Sequence, residues 1–404
     1  MGENMDLVIR NATIASVSGV KDIGVRDGRI VEIGDRIELR GDEEVQAMGF
    51  LVAPGFMDVH MHLDKALTLD RYDWSRRPRD MPSRQAALEA SNELKRHFMV
   101  EDVRERAIRT AEMCIVNGTT TLRTHAEVDP VVGLTGIQGV LEAREACREW
   151  IDIQVDCYGI AGFHEVPEEE GLLRKGLEMG ADLVGGVPEA NPDGNVHVDR
   201  VFALAREYDK DIDFHVDQVR AHRPFALPYI AEKTIAEGWQ GRVMASHCYA
   251  LGHVTPEERQ QAIRMCREAG VSICCQPNAT IEERVIEPVN GGVNVTYMSD
   301  NIRDTWQPYG NADMLQLALF VARLGSWRTK EELDHLLEMG SMGAARAIGL
   351  AEDHGVAVGK RADMVIFEAK SGHEAIITQA RKLWVIKNGR VVARNGELLV
   401  RPAG

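Results

Sequence analysis

Residues 51–65 read LVAPGFMDVHMHLDK. An apolar run leads into His60-Met61-His62, and polar residues follow at once. A short apolar run of this kind reads as a buried strand, here 51–60. Side chains alternate along extended chain, so His60 and His62 share one side at the strand's carboxyl end. Seven comparable segments follow: 119–125 (TTTLRTH), 151–158 (IDIQVDCY), 182–188 (DLVGGVP), 211–217 (DIDFHVD), 242–248 (RVMASHC), 271–277 (VSICCQP) and 293–300 (VNVTYMSD). Helical stretches at 101–116, 139–149, 168–179, 198–208 and 256–269 lie between them. Repeated strand–helix units place the chain in the α/β class, as a (β/α)8 TIM barrel over residues 51–353. The competing open, doubly wound sheet would need a Gly-rich phosphate fingerprint after its first strand, and none is present.

Outward from the barrel the pattern changes at both ends. Residues 6–15 and 22–34 alternate as short strands with Asp27-Gly28 as a hairpin turn. Residues 363–368, 382–388 and 390–400 do the same, with Asn-Gly pairs at 388–389 and 395–396. The ends, 1–50 and 354–404, are expected to form one small discontinuous β-sandwich domain.

Composition limits the partners. The 404 residues include 63 acidic and 47 basic ones, a net charge of −16. That balance repels phosphate backbones and anionic lipid, so neither nucleic acid nor a membrane is an expected partner. No stretch approaches the ~18 apolar residues of a membrane span. The opening residues lack the pattern of a signal peptide. Seven cysteines, an odd number without a paired framework, read as reduced thiols, with Cys274 and Cys275 as buried strand residues. A cytoplasmic location is expected, and a homo-oligomer, since barrels of this kind often pair.

The strand ends carry the chemistry. The first ends in His60 and His62, the fifth in His215, the sixth in His247 and the eighth in Asp300. In a barrel these ends converge on one mouth. Three imidazoles and a carboxylate make a borderline N/O site for one divalent metal, Zn²⁺ or Fe²⁺ rather than Mg²⁺ or Ca²⁺. The predicted ligands are His60, His62, His215 and Asp300.

The run VAPGFMDVHMHLDK (52–65) resembles the first-strand signature of the amidohydrolase superfamily. FHVD (214–217), ASHC (245–248) and SDNIRD (299–304) resemble its fifth-, sixth- and eighth-strand signatures, and GVAVGKRADMVIFE resembles its closing stretch. The likeness is strongest to the cytosine deaminase-like branch, particularly its isopropylammelide-hydrolysing members. It implies a metal-dependent aminohydrolase acting on a small N-heterocycle such as a triazine or pyrimidine. A metal lowers the pKa of its bound water, Asp300 or His247 takes the proton, and hydroxide attacks the amino-bearing ring carbon. Binuclear members bridge two metals through a strand-four lysine or carboxylate; DLVGGVP holds neither within it, Asp182 being at its start, so one metal is expected.

Three positions depart from cytosine deaminases. Gln218 stands where the branch carries a proton-shuttling Glu, Ile160 where a glutamine meets the pyrimidine edge, and Asn301 where an Asp follows the metal aspartate. Asn301 and Lys65 agree with the isopropylammelide enzymes. Lys65 is expected either to hold a ring carbonyl or to supply the proton that Gln218 cannot. Trp306 is a stacking candidate for a flat ring, and Asp217, Gln218 and His222 are candidate polar contacts. His125 reads as a packing or supporting residue, and 66–84 as a flap over the mouth. The alternative reaction is opening of a cyclic amide or lactam, which needs no ring-nitrogen protonation. A third reading, a barrel that binds without catalysis, would leave the ligand set without metal.

Overall fold

The computed structural model describes residues 4–15, 17–76, 83–160, 162, 166–218 and 223–400. Eight parallel strands follow one another in chain order: Phe56–Met61, Thr119–Glu127, Asp152–Gly159, Leu183–Gly186, Asp211–Val216, Val243–His247, Ser272–Cys275 and Val295–Tyr297. Every neighbouring pair is hydrogen-bonded in parallel register. The ring closes at a narrow seam, a single bridge between Met61 and Asp300. There the Asp300 amide donates to the His60 carbonyl at 3.0 Å and the His62 amide to the Asp300 carbonyl at 3.2 Å.

The expected first strand, 51–60, is two strands. Leu51–Pro54 pairs with Met364–Phe367 and belongs to the terminal sheet; only Phe56–Met61 enters the barrel. Gly55 makes the crossing possible, because a Cβ there would lie 2.3 Å from the Thr120 hydroxyl oxygen. Both halves are buried, so apolar content alone does not reveal the change of partner.

Helices connect the strands and are terminated by their own sequence. Pro256–Ala269 begins with a capping box in which Thr255 and Glu258 satisfy each other's backbone amides, has Pro256 in its first turn and ends at left-handed Gly270. Its buried face, Ala262, Ile263, Cys266 and Ala269, joins the main apolar core that fills the space between barrel and helices. A separate cluster of Met57, Val59, Met244, Cys274 and Met298 packs against Ala344, Ala345 and Ile348.

The two ends of the chain form one nine-stranded, largely antiparallel sheet. Asp27-Gly28, Asn388-Gly389 and Asn395-Gly396 each adopt paired positive φ values and join adjacent antiparallel strands, as two-residue turns of the type I′ class require. Its apolar face is Leu7, Ile9, Ile23, Val25, Met364, Ile366 and Ile386. Of the expected flap, residues 77–82 lie outside the described residues, as does His222. All seven cysteines are buried and free. Among the described residues no helix is long and apolar enough to cross a membrane.

Candidate metal and substrate site

His60 and His62, from the first strand and the residue after it, meet His215 from the fifth, His247 from the sixth and Asp300 from beyond the eighth. His62 Nε2 lies 3.3 Å from Asp300 Oδ1, and His60 Nε2 lies 3.9 Å from the same oxygen. His215 Nε2 faces His62 Nε2 at 3.4 Å. One ligand atom from each of His60, His62 and His215 falls within 4.8 Å of the others, and so it does for His60, His247 and Asp300.

The donor set fits a cation. Both ring nitrogens of His60, Nδ1 of His215, Nε2 of His247 and Oδ1 of Asp300 are buried without a hydrogen-bond partner. Native folds rarely leave buried polar atoms unmatched, and here His60, His247 and Asp300, each bearing an unpartnered atom, offer ligand atoms within 4.8 Å of one another. Burial pushes the His62 and His215 imidazoles down and takes His247 to about 3, which keeps the rings neutral, the form that ligates. The backbone is bent to serve this geometry. His247 and Asp300 have φ of 75° and 61°, a left-handed conformation that costs non-glycine residues energy and gathers at functional sites.

A polar layer supports the rings. His62 Nδ1 donates to the His125 carbonyl at 3.2 Å, which turns its Nε2 lone pair towards Asp300. His125 lies against His60 with ring centroids 3.7 Å apart, and its Nδ1 is 2.5 Å from Asp156. Asp213 sits 3.8 Å from His60 Nδ1 and accepts from Arg123 and Ser246. His60, His125 and Asp213 also lie within ligand reach of one another, but this grouping shares His60 with the first and its Asp213 is already engaged.

Lys65 is held in a buried charge cluster. Its Nζ donates to Glu127 Oε1 at 2.8 Å and to the Tyr158 hydroxyl at 3.1 Å. Lys95 donates to the other Glu127 oxygen at 2.8 Å and to Asp129. Burial opposes the Lys65 charge, yet Glu127 and Asp64 outweigh it and raise the ammonium above its ordinary pKa. Arg106 fixes the backbone on either side by donating to the Asp64 and Ala66 carbonyls at 3.0 and 2.8 Å.

A cavity of about 350 Å³ opens over His62, His215, His247 and Asp300. Lys65, Gln218, Asn301 and Trp306 all line it. Asn301 donates to Asp304 at 2.7 Å; Lys65 Nζ is 5.9 Å from the Trp306 ring centre. Asp217 is not among the residues around the cavity. It is buried, and its carboxylate accepts from the Ala226 amide at 2.9 Å. Ile160 does line the cavity.

Several residues escaped the sequence reading. Glu127 and Tyr158 continue the period-two pattern that places His125 and Asp156 inward, and Asp213 stands two before His215, so alternation could have found all three. Arg84, whose Nε donates to Gln218 at 3.3 Å, and Gln276, Asn278, Gln307 and Tyr309 come from a helix and loops with no periodic signal.

Comparison with known proteins agrees with this architecture. An N-isopropylammelide isopropyl amidohydrolase from Pseudomonas sp. (strain ADP) is 37% identical over 403 residues, covering 98% of this chain and 99% of the relative. The crystal structure of N-isopropylammelide isopropylaminohydrolase from Burkholderia multivorans superposes with a TM-score of 0.88 at 30% identity, over 97% of this chain and 99% of that one. That of 5-methylcytosine deaminase from Klebsiella pneumoniae, bound to 5-fluorocytosine, also gives 0.88, at 27% identity over 98% and 99%. The sequence profile of the amidohydrolase family matches residues 43–393, and the chain belongs to that family of carbon–nitrogen hydrolases.

Proposed function

We propose that the protein is a metal-dependent aminohydrolase that removes ammonia or an alkylamine from a small oxo-substituted N-heterocycle. The carrying observation is the convergence of unpaired buried nitrogens and a carboxylate oxygen at the floor of a cavity that also holds a fixed cation and an indole. His60, His62, His215 and Asp300 would hold one divalent ion, Zn²⁺ or Fe²⁺. Such an ion supplies Lewis acidity and makes water a nucleophile at neutral pH.

The chain's own residues supply the rest. Asp300 Oδ1 and His247 Nε2, both without partners, are the groups placed to receive the proton of the attacking water. Lys65, kept charged by Glu127, is suited to hold a ring oxygen and to stabilise charge that develops there. The same tethering makes it a poor proton donor, which favours the first of its two expected roles. Trp306 offers an aromatic face to the ring, and Asn301 and Gln218 offer amides. Asp217 acts through the backbone it caps, not by touching substrate.

This reading is supported by relatives whose names specify isopropylammelide and 5-methylcytosine as substrates. The ring-opening alternative rests on Gln218, an amide that cannot shuttle protons. Purified protein is assayed for metal content and incubated with amino- and alkylamino-triazines and pyrimidines. Released amine with the ring intact is expected; a new carboxylate would overturn the aminohydrolase reading, and protein that folds without binding Zn or Fe would overturn the metal assignment. The same discontinuous organisation is proposed as the domain division, with the expected boundary at 50 moved to Pro54 because Leu51–Pro54 pairs in the terminal sheet.

A further inference from the structure

A second cavity, about 460 Å³, lies beside the first. Gln276, Asn278, Gln307 and Tyr309 line both, so the two chambers share a wall built from these residues. Gln276 Nε2 donates to Gln307 Oε1 at 2.5 Å. Asn278 Nδ2 donates to Gln276 Oε1 at 2.7 Å and to the Tyr249 hydroxyl at 2.6 Å. This row of amides bridges the loops that follow the seventh and eighth barrel strands.

Past the row the lining is richer in apolar side chains, with Met298, Ala312, Leu317 and Phe320 beside the neutral polar Ser299, Asn311 and Gln316. The one charged side chain among the described residues of that chamber is Asp313, which accepts from Lys382 at 2.6 Å. The first chamber is different: its cations, Lys65 and Arg84, are absent from the shared wall. A ring whose oxygens meet those cations leaves its exocyclic nitrogen for the amide side, where glutamine oxygens accept N–H.

We propose that the second chamber receives an apolar substituent on the scissile nitrogen of the substrate, with the Gln276–Gln307 hydrogen bond as the door between ring and substituent. The proposal rests on the aminohydrolase reading above. A neutral side-chain hydrogen bond is weak in net terms and opens readily, and the freed amides then bind the substrate N–H. The reaction is a plain hydrolysis. The ring C–N bond breaks, water's oxygen bonds to the ring carbon, and the two water protons end on the product hydroxyl and the departing R–NH₂.

The test uses dihydroxytriazines bearing –NH₂, N-isopropyl or N-cyclohexyl groups, and the matching carba analogues in which CH₂ replaces the scissile nitrogen as inhibitors. Gln316→Trp fills the second chamber from its helical wall, and Gln307→Ala removes the door. Burying three or more carbons predicts that Gln316→Trp lowers the N-alkyl to –NH₂ ratio of kcat/KM by about tenfold or more, while Gln307→Ala raises it. A ratio within about twofold of wild type in both variants overturns the proposal, since an occupied chamber could not tolerate that change of volume. If no amine is released from any compound, the aminohydrolase reading fails by itself. The chamber is then judged by inhibition constants: a preference for the alkyl analogue that Gln316→Trp abolishes supports it, and equal inhibition by bare and alkyl rings overturns it.

Discussion

Replacing Glu127 with Gln tests whether the buried charge cluster is as coupled as its geometry requires. The carboxylate is fully buried and bridges two ammonium groups, Lys65 and Lys95, each at 2.8 Å. The amide keeps the shape and removes the charge. Lys95 retains Asp129, but Lys65 loses the one carboxylate among the described residues to which it donates. Removing one partner of a buried pair typically costs about 3–5 kcal/mol, because the remaining charge is left uncompensated. Equilibrium urea unfolding should show a loss of that size at an unchanged m-value. The pH–rate profile should also gain a basic limb, since Lys65 without Glu127 keeps the Asp64 and Asp304 charges but loses its largest opposition to the burial that lowers its pKa. The double variant Glu127→Gln/Lys65→Met removes the stranded ammonium and should be less destabilised than the two single variants summed. A Glu127→Gln protein within about 1 kcal/mol of wild type, or a cycle additive to about 0.5 kcal/mol, would refute the coupling.

Other expectations are as direct. His215→Ala and Asp300→Asn should each bind metal at least about tenfold more weakly than wild type, by titration with a chelator competing, while far-UV dichroism stays unchanged. His354 is buried with Nε2 donating to the Gly55 carbonyl at 3.0 Å, and burial lowers its pKa to about 4. The unfolded chain therefore binds a proton near pH 6.5 that the folded one refuses until about 4, so stability falls by about 3 kcal/mol as pH drops through that window. His354→Gln should flatten the slope of unfolding free energy against pH there by about one proton; an unchanged slope would count against it. Gly185→Ala puts a Cβ 2.4 Å from Asp156 Oδ2 and 2.6 Å from the Asp213 carbonyl. A loss of about 1–3 kcal/mol is expected from that overpacking, with lowered activity as Asp156 is pushed from His125; wild-type melting would contradict it.

Much of the fold and part of the site were legible from sequence because both rest on local period. Alternation along short apolar runs marks the barrel strands, and a polar residue where each run stops marks the mouth, so His60, His62, His215, His247 and Asp300 stand out without coordinates. Lys95 could not, since nothing near it in sequence hints at a carboxylate 32 residues away. Sequence alone makes Asp217 a candidate polar contact for the substrate. Its left-handed backbone, φ 52°, carries the carboxylate to the Ala226 amide instead, and such a turn is invisible to a two-residue period. The split at Gly55 is hidden for a related reason, as the strands on either side of it are both buried and the change of partner leaves no mark in the sequence.

The seam between Met61 and Asp300 has a consequence for assembly. The histidine pair and the aspartate are delivered by the first and last staves of the cylinder, so no nascent or half-folded chain owns the complete constellation. An ion held by the four proposed ligands would be captured tightly only after the circumference has been completed, and would latch a joint held by a single bridge among the described residues. Loading and closure would in that sense be a single event, and hydrogen exchange at the amides of His62 and Asp300 is where chelation would be felt first.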